Sequence, residues 1–474
     1  QRTQLDDSGI VDQHIERAEA IQCGTDGGRP VRCAGDVEMD VARGIAQILG
    51  QRGAHVVEDV ADQHAGALGD EHLGAGGADS ASAAGDQSDF VIHTSHGASG
   101  YLEGYAFPVS LRTRPLMTIR VAHIGTGNVG RLALAELIDN PAFELTGLCV
   151  STREKIGRDA GELAGRAVTT GITATEDLEA VLATEPACVV YCAMGDTRMV
   201  AAMDDVRRIL AAGINVVGSA PGVLQFPWHV MPDKYIEPLE VAGRQGNSSI
   251  YINGVDPGFI TDLIPLAFAS TCARIEQVRC MEIADYATYD GATVMFDVMG
   301  FGKSLDEVPM LFQPGVLAIA WGCAIRQLAA GLKIDIDSIT ESYEREPAPE
   351  PFEIAAGHIP RGGVAAVRFQ INGIIDGHPA IVIEHVTRLR ADLRPDWAQP
   401  AQPGGSYRVE ITGEPSYAVD IRPTSRFGDH NHAAIAGAAA RIVNAIPAVI
   451  AAPPGIRTTL DLPLVSDVGV YCAR

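Results

Sequence analysis

The chain has 474 residues, 46% of them hydrophobic, which is enough for two or three domains with a large apolar core. A formal net charge of −24 excludes the basic face that a nucleic-acid partner or an anionic membrane surface calls for. The first residues show no basic-then-apolar leader, no run of about 18 apolar residues predicts a membrane span, and the nine scattered cysteines form no C-x-x-C pair, so a cytoplasmic protein is expected.

Residues 1–116 contain no lysine and are rich in Asp, Gly, Ala and His, as in HAGALGDEHLGAGGADSASAAGDQ. Low hydrophobicity with an acidic excess predicts disorder or weak structure there, apart from a weak helix-like stretch near 41–49. His14, His55, His64, His72, His93 and His96 fall at no compact ligand spacing, so no metal is expected. Met117 stands directly before the first clear strand. The expectation is that the native chain starts there and that residues 1–116 are an extension or a mis-set start.

From 119 to 140 the chain reads IRVAHIGTGNVGRLALAELIDN, an apolar run, then G-x-G-x-x-G, then a helix-period pattern ended by Asn140-Pro141. Gly125 permits a tight turn, Gly127 lets backbone approach a pyrophosphate, and Gly130 lets helix and strand pack closely. Thr126, Asn128 and Val129 complete the turn, and the helix N-terminus offers N–H donors to phosphates. Further strands are predicted at 143–150 (FELTGLCV), 171–174 (GITA), 187–193 (ACVVYCA) and 214–220 (INVVGSA). Thr175 is the expected N-cap of one intervening helix, and Gly213 suits the end of another, near 197–212. Such alternation predicts an α/β fold, a Rossmann-type doubly wound parallel sheet.

Past Pro221 the pattern changes. GVLQFPWHVMPDKY reads as a loop, and YINGVDPGFITDLIPLAFAS as strand, turn and helix, with Asp256 and Pro257 at N-cap and first helical position. Strands are predicted in RIEQVRCMEIADYATYD, VAAVRFQINGII, AIVIEHVTRLRA and YRVEITG, and surface loops in EREPAPEPFE and RPDWAQPAQPGG. These imply a second, α+β domain. HAAIAGAAARIVNAIPAVIAA is a small-residue helix expected to pack back on the first domain. The expected division is 117–250 for nucleotide, 251–430 for substrate and dimerisation, and 431–474 for the returning helix and tail.

In an NAD site an acidic residue follows the second strand. Here Ser151, Thr152 and Arg153 come first, and a guanidinium with hydroxyls suits a 2′-phosphate, with Lys155 or Arg158 as helpers. NADP is therefore the favoured cofactor, while Glu154 keeps NAD possible. Ala193, Met194, Gly195 and Asp196 are expected over the cofactor, and Ser219 beside the nicotinamide, because ligands sit at the carboxyl ends of parallel strands.

IRVAHIGTGNVGRLALAELI and KIGRDAGELAG (155–165) resemble the N-terminal domain of dihydrodipicolinate reductases. NGVDPGF (253–259) and AARIVNAIPAVIAAPPGIRTTLDLP (439–463) resemble the diaminopentanoate dehydrogenase and amine dehydrogenase relatives of that reductase, of an actinobacterial type. The resemblance covers about 117–470. It implies a two-domain NAD(P)-dependent oxidoreductase, commonly a homodimer, moving hydride to or from a C=N or C=O carbon. The reductases' His-His…Lys-x-Asp-Ala-Pro-Ser-Gly-Thr element is missing. A catalytic glutamate is implied shortly before Phe226-Pro227-Trp228, where this chain has Gly222 and Val223.

Other groups must then supply a proton. Tyr286, Tyr289 and Asp290 form a polar cluster at a strand end, a phenol being a possible acid and aromatic packing the alternative. His430 and His432 could hold substrate or give a proton, or could be surface residues at a helix entry. Tyr289, Asp290 and His432 are the catalytic candidates, and Phe226, Trp228, Asn253 and Tyr286 the expected substrate pocket. The reading is an oxidoreductase acting on a small, rather apolar carbonyl, imine or amine. Dihydrodipicolinate-type reduction and a catalytically inactive nucleotide-binding regulator are the alternatives.

Overall fold

The computed structural model describes residues 118–193 and 198–469. The expectations for residues 1–116, and for Met194, Gly195 and Asp196, lie outside the described residues. The helices are α1 (Asn128–Asp139), α2 (Ala160–Leu163), α3 (Leu178–Leu182), α4 (Met199–Ala211), α5 (Asp233–Gly246), α6 (Leu263–Ala269), α7 (Val316–Leu332) and α8 (His430–Ile450).

The first sheet joins β1 (Ile119–Ile124), β2 (Phe143–Cys149), β3 (Cys188–Tyr191), β4 (Asn215–Gly218) and β5 (Ser249–Ile252) with β14 (Gly455–Arg457). Its order is β14-β5-β4-β3-β1-β2 and every pair is parallel. The strands are apolar on both sides because helices cover both faces. Val121, Val190, Val217 and Tyr251 share a core with Ala133 and Leu137 of α1 and Ile442 and Ile446 of α8. Ala122, Val189, Val216 and Ile250 pack with Val206 and Leu210 of α4 and Leu239 of α5. That alternation is the two-residue period of a strand buried on both faces. The doubly wound sheet read from the sequence is present, and β5 crosses the boundary expected at residue 250.

The second sheet contains β6 (Arg274–Asp285), β7 (Ser338–Pro347), β10 (Val364–Ile375), β11 (His378–Arg388), β12 (Gly405–Glu414) and β13 (Tyr417–Ile421), in the order β13-β12-β6-β11-β10-β7. β6 and β11 run parallel and the other neighbours antiparallel. β8 (Phe352–Ile354) and β9 (Gly357–Ile359) form a separate hairpin that begins in the last two residues of the EREPAPEPFE stretch expected to be loop. Trp321, Ile325 and Leu328 of α7 join Ile383, Phe369 and Tyr407 of the sheet in one core.

α8 is long and apolar enough to cross a membrane by length and composition. Here its apolar residues are used against α1 and the first sheet, and its arginine is matched inside. Arg441 donates from Nε to Asn253 Oδ1 at 3.2 Å and from a terminal nitrogen to the Tyr251 hydroxyl at 3.0 Å. Asn253 Nδ2 donates to Asp262 Oδ2 at 2.9 Å, and Gln327 and Thr459 donate to the same oxygen at 3.2 and 2.6 Å. One carboxylate thus ties the exits of β5 and β14 to α6, α7 and, through Asn253, to α8.

Three local expectations are corrected. The GITA stretch makes only one isolated bridge, Asp159 to Thr173, with a second just beyond it from Cys149 to Thr175, and the Asp159 carboxylate takes the N–H of Gly171 that opens it. Asp177, not Thr175, caps α3, accepting from Ala180 N at 3.2 Å, while Thr175 Oγ1 accepts from Asp177 N. Asp256 is not an N-cap. Asp262 caps α6 by accepting from Leu263 N, and Asp256 is buried against the second sheet.

Removing a buried, multiply bonded carboxylate strands its donors. Asp262→Ala should therefore lower unfolding stability by about 3 kcal/mol in urea denaturation. An unchanged midpoint would show that this carboxylate does not hold the layers together.

Candidate functional site

The strand order reverses at β1, with β2 on one side and β3 on the other, so the exits of β1 and β3 form the crevice where open parallel sheets take ligands. Gly125, at φ +88°, presses directly on that neighbour: a Cβ would lie 2.5 Å from Ala193 N and 2.6 Å from the Cys192 carbonyl. A Cβ on Gly130 would lie 2.3 Å from Gly125 O. Gly127 is the N-cap of α1, where Asn128 and Val129 begin the helix, and it offers no side-chain cap to the first-turn N–H groups. Those donors, with the positive end of the helix, fit a phosphate. Thr126 is buried and its Oγ1 has no partner among the described residues, which leaves a further donor.

The turn is braced from inside. His123 is fully buried, and its Nε2 donates to Gly125 O at 2.6 Å. Burial lowers its pKa to about 4, so the ring is neutral and the bond holds at neutral pH.

Beyond β2, Ser151, Thr152, Arg153 and Glu154 are exposed, with Arg153 opening a short 3-10 turn. Lys155 folds back, its Nζ donating to Thr126 O at 3.1 Å. A cation therefore lies on the glycine turn, and it is the expected helper rather than Arg153. Ala193 and Ser219 are half-buried at the ends of β3 and β4, and Ser219 N donates to Tyr191 O. Phe226 and Trp228 are half-buried, edge to face at 5.1 Å.

Tyr286, Tyr289 and Asp290 lie beside the start of α8. Asn431 Nδ2 donates to Thr288 Oγ1 and Asp285 O, and the N-cap Asp429 accepts from the Thr288 hydroxyl and from His432 N. Val449 O meets Ser249 at the start of β5, and Arg441 meets Tyr251 and Asn253 at its end, so the N-terminus of α8 lies beyond the carboxyl edge of the sheet. Tyr289 is buried, Asp290 exposed and His432 half-buried. His430 is buried against Gly405, and burial lowers it to about 4, which removes it as a neutral-pH proton donor. Asn253 has its amide bonded to Asp262, Thr459 and Arg441 in the interior.

Sequence reasoning missed a buried cluster. Glu282 of β6, His385 of β11 and Tyr407 of β12 are register partners on one face of the second sheet. Asp256, four residues past β5, reaches them: its Oδ2 lies 3.2 Å from His385 Nε2, and its Oδ1 accepts from Trp321 Nε1 at 3.0 Å. Tyr286 donates to Glu282 Oε1 at 2.5 Å. Phe369 stacks on the His385 ring at 4.6 Å. Burial raises Glu282 to about 7 against the pull of His385. His385 is lowered by burial but raised further by Asp256, ending above its ordinary value. Ligand atoms of Asp256, Glu282 and His385 all lie within 4.8 Å of one another. The signal was a glutamate and a histidine at inward positions of alternating strands, where apolar residues are the rule.

The neutral His123 has a pH consequence. Its folded value of about 4 lies below the ordinary 6.5, so its contribution to stability is complete above 6.5 and is lost as pH falls toward 4. His123→Gln keeps a donor for Gly125 O but cannot titrate. Across that window, denaturation midpoints should fall less for the variant than for the wild type. Parallel falls would remove His123 from the acid response.

Comparison with known proteins agrees with this geometry. Residues 259–469 match the model of the 2,4-diaminopentanoate dehydrogenase C-terminal domain. The chain is 38% identical over 347 residues to an amine dehydrogenase of Streptomyces virginiae, covering 73% of this chain and 96% of that protein. It is 25% identical over 360 residues to a 2,4-diaminopentanoate dehydrogenase of Acetoanaerobium sticklandii, covering 73% and 94%. The solved amine dehydrogenase from Mycobacterium smegmatis shares the fold, with a TM-score of 0.60 and 20% identity over 74% of this chain and 98% of that one. The chain belongs to the amine dehydrogenase family, and it is an NAD(P)-dependent oxidoreductase.

Proposed function

We propose that the protein moves hydride between the nicotinamide of NADP(H) and the carbon of a small, rather apolar carbonyl, imine or amine. The observation that carries this reading is the Gly125–Gly130 turn: an uncapped helix N-terminus and Lys155 converge at the crevice between β1 and β3. The bound cofactor supplies the hydride chemistry. The first-turn N–H groups of α1 and the Thr126 hydroxyl hold its pyrophosphate, and Lys155 neutralises charge there. Ser151, Thr152 and Arg153, open to solvent, hold the 2′-phosphate. Ala193 and Ser219 line the path toward the nicotinamide, and Phe226 and Trp228 wall the substrate pocket. Tyr289, Asp290 and His432 border that pocket from beyond the strand ends. The reading extends to a cytoplasmic homodimer, and the charge of −24 speaks against nucleic-acid or anionic-membrane partners.

Titrating the full chain with NADPH and NADH, followed by nicotinamide fluorescence, tests the cofactor. NADPH should bind about tenfold tighter or better, as one charge-assisted pair allows, and Arg153→Ala should erase most of that preference. Equal binding of both would return Arg153 to the solvent. Gly127→Val should abolish binding of either, because a side chain there would occupy the space of the pyrophosphate. Unchanged affinity would put the nucleotide elsewhere.

A further inference from the structure

The second sheet has a face turned away from α7, and that face carries charge. His385 and Phe369 pack on Trp321 of α7, and Glu282 and Tyr407 share their side of the sheet. The residues next to them in each strand, Met281 of β6, Arg368 of β10, Glu384 of β11 and Arg408 of β12, therefore point the other way. Arg279 and Glu410 lie two residues along on the same outer face. The loop after β11 crosses this face and leaves a cavity of about 180 Å³, open to solvent, whose walls include Arg279, Arg368, Glu384, Trp397, Arg408 and Glu410.

Most charges in the walls answer one another. Glu384 is buried and accepts from Arg279 and from Arg368 Nε, the latter at 2.6 Å. Arg408 Nε donates to Asp420 Oδ1 at 2.7 Å, and its terminal nitrogens make no hydrogen bond among the described residues. Two groups are left over. Trp397 is only 4% exposed, and its Nε1 has no partner among the described residues. The Arg394 guanidinium lies 4.3 Å over the indole and fixes its plane. Glu410 is half-buried and stands directly across from Arg279 in the register of β12 and β6. Arg279 turns instead to Glu384, so Glu410 has no ion pair among the described residues.

A buried N–H without an acceptor calls for one, and a half-buried carboxylate without a cation calls for a cation. Both open into one cavity, so a single ligand with a charge of each sign satisfies them. The volume is the share of roughly six waters, which suits a molecule of about as many heavy atoms and excludes a nucleotide. We propose that this cavity binds a short aliphatic α-amino acid as its zwitterion. Trp397 Nε1–H and the free end of Arg408 take the carboxylate, and Glu410 takes the ammonium. Asp256 reaches the sheet from the nucleotide-binding half on the opposite face, so the cavity is separate from the nicotinamide crevice. An amino acid held there is an effector and not the substrate, and the site stands independently of the oxidoreductase reading.

The test is calorimetric titration of the full chain, with NADPH present, by L-alanine and L-valine. One molecule per chain should bind with a Kd near about 1 mM. Propionate and isobutylamine, which each lack one charged end, should bind at least about tenfold more weakly. Trp397→Phe keeps the ring and removes the donor, and Glu410→Gln removes the carboxylate. Each should weaken L-alanine about tenfold while circular dichroism and NADPH affinity stay as in the wild type. No saturable binding well above that range would overturn the proposal. So would propionate binding as tightly as L-alanine, or amino-acid binding that neither substitution weakens, which would place the ligand elsewhere. Sedimentation of the same variants covers the remaining occupant: a dimer that Glu410→Gln or Trp397→Phe dissociates would assign the cavity to a second copy of the chain and overturn the amino-acid site.

Discussion

The buried carboxylate of Asp262 is the interaction on which the rest of the molecule depends. It is fully enclosed, and charge in such a place persists only when enough donors surround it. Asn253, Gln327 and Thr459 give side-chain donors, and Leu263 gives its backbone N–H. Those groups come from the end of β5, from α7, from the turn after β14 and from the start of α6. Arg441 of α8 joins through Asn253 and balances the charge. The parallel sheet, the helix that covers the second sheet and the returning helix are thereby fixed to one another. A hydrophobic interface alone would allow sliding, whereas a directional network of this kind sets the register.

That register positions the chemistry. With the layers locked, the segment after β5 must run toward the second sheet, and Asp256 arrives at His385 and Glu282. Burial then does what it does to any ionisable group. It disfavours charge, so a carboxyl rises toward neutrality and a histidine falls unless a carboxylate opposes it. His123 and His430 show the fall, both reaching about 4. His385 shows the exception, because Asp256 stands 3.2 Å away. Buried histidines thus shift in opposite directions for reasons of local partners alone.

The nucleotide site works by a different principle, that of empty space. At Gly125 and Gly130 the backbone of one strand exit is pressed onto the next so closely that no side chain fits. The acceptor that closes the turn from inside, Gly125 O, is held by a neutral imidazole, while Lys155 holds Thr126 O from outside. The glycines make the approach possible, and these two bonds keep the turn from relaxing into it.

The sequence by itself determined the α/β alternation, the glycine turn and four of the six strands of the second sheet, β6, β10, β11 and β12, because those follow from local rules. Period-two and period-3.6 patterns, glycine at positive φ and Pro after a helix are each written within a few residues. VAAVRFQINGII gave β10 at its full length for that reason. Where side chains compete for backbone, local reading slipped: Asp159, twelve residues away, took the N–H of Gly171 that opens the expected GITA strand. The tertiary structure decided the rest. Asp256, Glu282 and His385 are separated by dozens of residues and sit in unremarkable strand and turn patterns. Only sheet register and the docking of α7 bring them together, and only burial gives them their charge states. A role set by distance and desolvation has no local signature, so Asp256 read as a helix cap, and His430 as either a substrate or proton group or a surface residue at a helix entry.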